Sequence, residues 1–335
     1  MKFKKIFVTG GAGYVGSKLV PMLLNLGYKV TVFDIMFFGN NFLPKNNPNL
    51  QIINGDIRDQ QKIEESCKTH DIFVHLACIS NDTSFQLDEK LSKTINYDAF
   101  EPMVVSAKKS GIKRFIYAST SSVYGISDKP EIKEDHPLLP LTDYNKYKGL
   151  CEPILLKHIN KNFEGIIFRP ATVCGYAPRQ RFDLSVNILT NHAFNKKKIT
   201  VFGGKQLRPN LHIEDYCEVV RSLIEAPSEK VNNQIFNVGH QNLSIMEIAK
   251  IVKKVVEKQN PNFKEIPLEV TESDDQRSYH INSDKIKNIL GFTAKRSIED
   301  AIKDLCDCFK KKMFVDSLSN DIYFNVKRLN KIKAS

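Results

Sequence analysis

Thr9-Gly10-Gly11-Ala12-Gly13-Tyr14-Val15-Gly16 stands between an apolar, β-rich run at 6–9 and a segment of helical periodicity at 15–26. Glycines at 10, 13 and 16 permit a tight turn, close approach of a pyrophosphate and close packing of the helix, whose first N–H groups point at the phosphate. A glycine trio alone is common in plain turns. Its place between a strand and a helix makes it a dinucleotide-binding signature. Asp34, 18 residues beyond Gly16, ends the next β-rich run. A carboxylate there accepts hydrogen bonds from both ribose hydroxyls and repels a 2′-phosphate, which points to NAD rather than NADP.

Working outward, β-rich runs fall at 6–9, 29–33, 50–53, 72–76, 114–118, 165–168 and 234–238, most of them continuously apolar, as strands covered on both faces are. Segments 15–26, 95–110 and 144–159 between them have helical periodicity. The alternation predicts an α/β fold with a doubly wound parallel sheet, Rossmann-type, and a smaller mixed C-terminal substrate domain. Residues 1–174, with a strand returning near 213–240, form the nucleotide-binding domain. Residues 175–212 and 241–335 form the smaller one, where 244–258 and 297–312 read as amphipathic helices. Pro21 inside the first helix removes a backbone bond and is expected to bend it.

The bulk numbers exclude several classes. At 335 residues, 41% hydrophobic and 26% charged, the chain is an ordinary soluble globular protein without an apolar run long enough to span a membrane. The N-terminus lacks a signal-peptide pattern, so a cytoplasmic location is expected. Seven scattered cysteines give neither a disulfide framework nor a zinc site, and no metal is expected. Much of the net charge of +11 lies in Lys196-Lys197-Lys198, Lys310-Lys311-Lys312 and the tail 327–333, without the interleaved aromatics of a base-stacking platform. Nucleic acid is therefore not an expected partner.

Tyr144 and Lys148 lie one helical turn apart. A phenol titrates near pH ~10 and serves as a base at neutral pH only when a nearby cation favours its phenolate. A lysine at i+4 lies roughly 5–6 Å away on the same helix face.

These motifs, with Gly55-Asp56-Ile57, His75-Leu76-Ala77-Cys78, Ser119-Thr120-Ser121-Ser122-Val123-Tyr124-Gly125 and Tyr144-Asn145-Lys146-Tyr147-Lys148, follow one another in the order of the extended short-chain dehydrogenase/reductase family. The chain resembles that family's nucleotide-sugar epimerases and dehydratases over nearly its whole length. The resemblance implies a tightly held NAD contacted by Gly10, Gly13, Tyr14, Val15, Gly16, Asp34 and Ile35. Asp56 and Ile57 would lie at the adenine, Leu76, Ala77 and Cys78 along the sheet edge, and Pro170 near the nicotinamide carboxamide. Asn96 is placed with them, with a structural tether as its alternative. Thr120 would hydrogen-bond the reacting sugar hydroxyl, Tyr144 would take its proton, and Lys148 would lower the tyrosine's pKa and bond the nicotinamide ribose. Tyr147 departs from the family's common serine, with consequences expected for packing only.

In the dehydratase branch Asp and Glu follow the threonine. Here Ser121 and Ser122 stand in their places, and neither serves as a carboxylate acid or base. That leaves C4 oxidation, ketoreduction or epimerisation, with a non-catalytic NAD-binding regulator as the reading from another class. Arg208 and Arg277, with Asn187, fall where the family grips the nucleotide diphosphate of its substrate. Arg179 and Arg181 suit a diphosphate through their guanidinium forks, with surface salt bridges as the alternative. Ser80 and Asn81, in the loop 79–83, are candidate sugar contacts, with an ordinary capped loop as the alternative. Segments 79–88 and 140–152 resemble the branch that oxidises C4 of a GDP-linked heptose for capsule assembly. The helices at 95–110 and 144–159 resemble those that build a four-helix homodimer interface.

Overall fold

The computed structural model describes residues 3–127, 129–263, 265–273 and 277–334. Its strands are β1 (Lys5–Thr9), β2 (Lys29–Asp34), β3 (Leu50–Asn54), β4 (Ile72–His75), β5 (Arg114–Ala118), β6 (Glu164–Pro170), β7 (Thr172–Cys174), β8 (Ile199–Phe202), β9 (Leu207–His212), β10 (Gln234–Val238), β11 (Gln241–Ser244) and β12 (Leu268–Thr271). Seven of them form one parallel sheet in the order β10-β6-β5-β4-β1-β2-β3. The order reverses between β1 and β4, and the crevice beyond the carboxyl ends of those two strands is where an open α/β sheet accepts a ligand.

Alternation along the strands divides the core into two faces. Ile6, Val8, Val30, Ile116 and Phe168 pack on one face with Leu19 and Val219 from helices Gly16–Asn25 and Ile213–Glu225. Phe7, Phe73 and Phe115, in register across β1, β4 and β5, stack on the other with ring centroids 5.0 and 4.7 Å apart. Continuous apolar runs are thus buried on both faces, with one exception. β3 is one of the sheet's two edges, and Ile52 there is 37% exposed.

The helix Gly16–Asn25 runs through Pro21. The helix expected at 95–110 is broken in two, a π-helical turn at Thr94–Asp98 followed by an α-helix at Phe100–Lys109. The extra residue in that turn accompanies the side-chain bonds of Asn96 described below. Beyond β6, the strands β7, β9 and β11 form a three-stranded sheet, and β8 pairs with β12. Cys174, Val186, Ile248, Val252, Ile302 and Cys306 build a core from both stretches flanking β10. Capping boxes at Ser244 with Glu247 and at Ser297 with Asp300 start helices Ile245–Gln259 and Ile298–Lys310. No helix among the described residues is long and apolar enough to cross a membrane.

Candidate active site

The crevice at the β1–β4 reversal opens into a cavity of about 550 Å³ that runs from the glycine loop to the C-terminal half. Each glycine of the loop has a separate reason to be one. Gly10 has φ +74°, and a Cβ there would lie 2.5 Å from the Ala77 nitrogen. A Cβ on Gly16 would lie 2.3 Å from the Gly11 carbonyl oxygen, so the helix start presses on the loop. Gly13 lines the cavity, and a Cβ there would meet only the Gly10 oxygen, at 3.2 Å. Asp34 shapes the far side by accepting from the nitrogens of Ala12 (3.0 Å) and Met36 (2.8 Å). Ile35, Asp56, Ile57, Leu76, Ala77, Cys78 and Pro170 line the same cavity, together with Val15.

Three positions differ from expectation. Asn96 is not a cofactor contact: its amide clips the backbone of Ile79, accepting from the nitrogen (2.8 Å) and donating to the oxygen (2.9 Å). It fixes the loop that follows β4, the tether given as its alternative. Asn187 is not a diphosphate ligand, because it accepts from the Gly175 nitrogen (2.9 Å) and donates to the Tyr14 hydroxyl (3.1 Å) and the Arg181 carbonyl (3.0 Å). The Tyr14 ring lines the cavity, but its hydroxyl donates to the Gly175 carbonyl (2.7 Å) and joins the glycine loop to the second half of the chain.

At the mouth of β5, Thr120 starts a 3₁₀ turn and exchanges a hydrogen bond of 2.8 Å with Ser122, which also donates to Asn145. Ser121 lies 3.3 Å from the Tyr279 hydroxyl. Among the described residues neither serine has a carboxylate partner. Thr142 caps the helix Asp143–Lys157 that carries Tyr144 and Lys148 into the cavity. The Lys148 ammonium donates to the Ala118 carbonyl and sits 4.5 Å from the Tyr117 ring centroid. Burial pushes the Tyr144 phenol well above 10, the charges of Cys78 and Asp82 push the same way, and Arg181 pulls it back.

The arginines are not surface ion pairs. Arg181 is 8% exposed, donates from Nε to Asp183 (2.8 Å) and from Nη1 to Ser80 (3.0 Å), and buries Nη2 without a hydrogen-bond partner. Arg179 is 2% exposed, stacks 3.5 Å from the Phe38 ring centroid and donates to Asn325 (2.7 Å). Arg208 and Arg277 line the cavity, joined by a bond from the Arg208 guanidinium to the Arg277 carbonyl, and Arg277 pairs with Asp82. Ser80 is taken up by Arg181 and by Asn325, which donates at 2.9 Å. Asn81, at φ +72°, caps the helix Asp82–Gln86 and lines the cavity, so its capping role is real.

Sequence reasoning missed Asp82, Asp183 and Asn325. Asp183 had a signal, since a carboxylate two residues from an arginine is within reach of it. Asn325, in a lysine-rich segment, had none. Leu184, Ile188, Leu189, Phe202 and Ile245, apolar residues that also line the cavity, were unread as well.

A glycine cradle at a sheet reversal, an aspartate at the end of β2 and a Thr-Tyr-Lys set in one cavity define a Rossmann-type nucleotide-dependent enzyme. The model of the NAD dependent epimerase/dehydratase family matches residues 6–239, and the chain belongs to that family. Its cofactor is NAD, which the cradle of Gly10, Gly13 and Gly16 and the carboxylate of Asp34 fit. The chain is 31% identical, over 92% of its length and 98% of the relative's, to UDP-N-acetyl-alpha-D-glucosaminuronate decarboxylase of Bacillus cytotoxicus. It is 29% identical to UDP-glucuronic acid decarboxylase 4 of Arabidopsis thaliana, over 94% of this chain and 70% of that one. The UDP-glucose 4-epimerase of Thermotoga maritima, solved with UDP-glucose, shares the fold with a TM-score of 0.81 at 24% identity, covering 92% of this chain and all of that one.

Proposed function

We propose that the protein oxidises a nucleotide-linked sugar, an NDP-hexose or GDP-heptose, at C4. The observation that carries this is the convergence of Thr120, Tyr144 and Lys148 in one cavity where serines occupy the two positions after the threonine. Bound NAD supplies the hydride acceptor. Thr120 and Tyr144 hold the C4 hydroxyl, and Tyr144 takes its proton, because a carbinol carbon releases hydride readily only as its oxygen becomes alkoxide-like. Lys148 keeps positive charge beneath the site. Arg208 and Arg277 provide forks for the diphosphate, and the apolar lining of Leu184, Ile188, Leu189, Phe202 and Ile245 suits the base.

Dehydration is disfavoured. It needs an acid for the departing hydroxyl and a base at C5, and Ser121 and Ser122 supply neither. Asp82, a carboxylate at this end, is held by Arg277 and Thr142. Epimerisation follows the same C4 redox step with the hydride returned to the other face. Decarboxylation is a further reading, favoured by the likeness to the Bacillus enzyme: a 4-keto uronate is a β-keto acid and loses carbon dioxide without a carboxylate at 121 or 122. We also infer a homodimer through helices Phe100–Lys109 and Asp143–Lys157, where Leu150 is 40% exposed; a monomeric mass by light scattering at micromolar protein overturns it.

The test is to incubate the purified protein with neutral nucleotide hexoses, nucleotide uronates and GDP-heptose, following absorbance at 340 nm and product mass. Loss of two hydrogens is the expected result. An unchanged mass with a new isomer marks an epimerase, loss of carbon dioxide a decarboxylase, and loss of water overturns the reading of the serines.

A further inference from the structure

We propose that Arg179 holds the pyrophosphate of NAD: its buried guanidinium, fixed between the glycine-loop helix, Phe38 and Asn325, adds a positive charge to a cradle otherwise made of backbone N–H groups. The assignment is to the cofactor's diphosphate and not the substrate's. It holds whichever reaction follows at C4.

Three contacts fix Arg179 beside the glycine loop. Its backbone nitrogen donates to the Ser17 hydroxyl (3.1 Å), which in turn donates to the Tyr14 carbonyl within the loop (3.0 Å). Its guanidinium lies 3.5 Å from the ring centroid of Phe38, four residues beyond Asp34. Its Nη2 donates to Asn325 (2.7 Å), itself anchored on Ser80 and Asp183. Gly10, Gly13, Asp34, Phe38 and Arg179 line one cavity. A dinucleotide lays its pyrophosphate at such a loop, against the N-terminus of the helix that follows. Arg208 and Arg277 are tied elsewhere, to each other and to Asp82.

The charge of Arg179 is unmet. Arg114, Arg169 and Arg181 are also buried, and each holds a carboxylate at 2.6–2.8 Å. Among the described residues Arg179 has no such ion pair: it donates to the neutral amide of Asn325, and its Nε is buried without a hydrogen-bond partner. The carboxylates whose charge reaches it are committed, Asp183 to Arg181 and Asp34 to the nitrogens of Ala12 and Met36. Burial, then the charge of Arg181, weaken its hold on its proton. A buried cation without a counter-charge is destabilising, and one beside a phosphate cradle is explained by the anion that completes it. A guanidinium also suits a phosphate, which it can meet with two parallel N–H groups.

The experiment strips the full-length enzyme of cofactor and measures, in Arg179→Met and Asn325→Asp, the melting temperature of the empty protein and its affinity for NAD by calorimetry. The NAD-saturated proteins are then titrated with UDP and with GDP. In Arg179→Met the dissociation constant of NAD is expected to rise roughly 10–100-fold, as loss of a hydrogen bond to a charged group does. The empty variant should melt no lower than wild type, and UDP and GDP should bind the NAD-saturated variant as they bind wild type. Asn325→Asp sets a carboxylate against the guanidinium in the anion's stead. It should weaken NAD while the empty protein melts higher, and it decides the matter if the methionine variant does not fold. An unchanged NAD constant overturns the proposal: a lowered melting temperature then makes Arg179 a packing residue, and a loss confined to UDP or GDP makes it a grip on the substrate.

Discussion

The two ends of the cavity are made of different material. The cofactor end is backbone: Gly10, Gly13 and Gly16 are shaped by what a Cβ would strike, and Asp34 spends both oxygens on main-chain nitrogens. The substrate end is side chain: Arg181, Arg277, Ser80, Asp82, Asp183 and Asn325 hold one another across as many as 245 residues of sequence. A backbone cradle depends on local geometry and a strand above it, whereas a side-chain lattice depends on every partner arriving. The first tolerates little change of shape, and the second little change of chemistry.

The largest effect is expected where the ends meet. Tyr144→Phe removes the proton acceptor while the cradle stays intact, so kcat should fall by roughly 10²–10⁴-fold with NAD affinity unchanged. If NAD is lost as well, the two ends are not separable. Next, Asn325→Ala leaves Arg179 and Ser80 each one partner short, and should cost about 1–3 kcal/mol in urea unfolding, with a rise in substrate KM. An unchanged stability would show that the lattice is redundant.

Gly13→Ala should fold with an unaltered melting temperature, because its Cβ meets only one oxygen, and weaken NAD binding about tenfold, measured by fluorescence titration of cofactor-stripped enzyme. Gly16→Ala, which strikes backbone at 2.3 Å, should fail to fold instead.

The smallest effect is one of pH. His75 ends β4 behind the cradle, hydrogen-bonded to Thr9 (2.7 Å), and burial, then Lys148, holds its pKa well below 6.5. Below 6.5 the unfolded chain takes up a proton that the folded one refuses, so this contribution is full above that pH and fades as pH falls. The fade should be about 1.4 kcal/mol per pH unit, seen as a declining melting temperature between pH 6.5 and 5 and flattened in His75→Gln.

The contrast between the ends also explains what could be read in advance. The sheet, its strands and the glycine loop were legible because apolar runs and glycine spacings are local consequences of local geometry. Thr120, Tyr144 and Lys148 were legible because two short motifs carry them. Arg181 was seen, but not its partners: its bond to Ser80 exists only after two distant loops are packed. Asn187 and Asn96 are amides whose partners are backbone atoms, and sequence gives no hint of which backbone. The apolar run at 50–53 marked a strand but not its place, because only pairing decides which strand becomes an edge.

Asn325 carries a consequence in time. A ribosome adds about 5–20 residues per second, so residue 325 follows residue 80 by tens of seconds. The sheet and cradle can form and take up NAD while Ser80, Arg179 and Asp183 still lack the asparagine that joins them. The chain therefore completes its glycine cradle well before the contacts through which Asn325 joins Ser80, Arg179 and Asp183 can form.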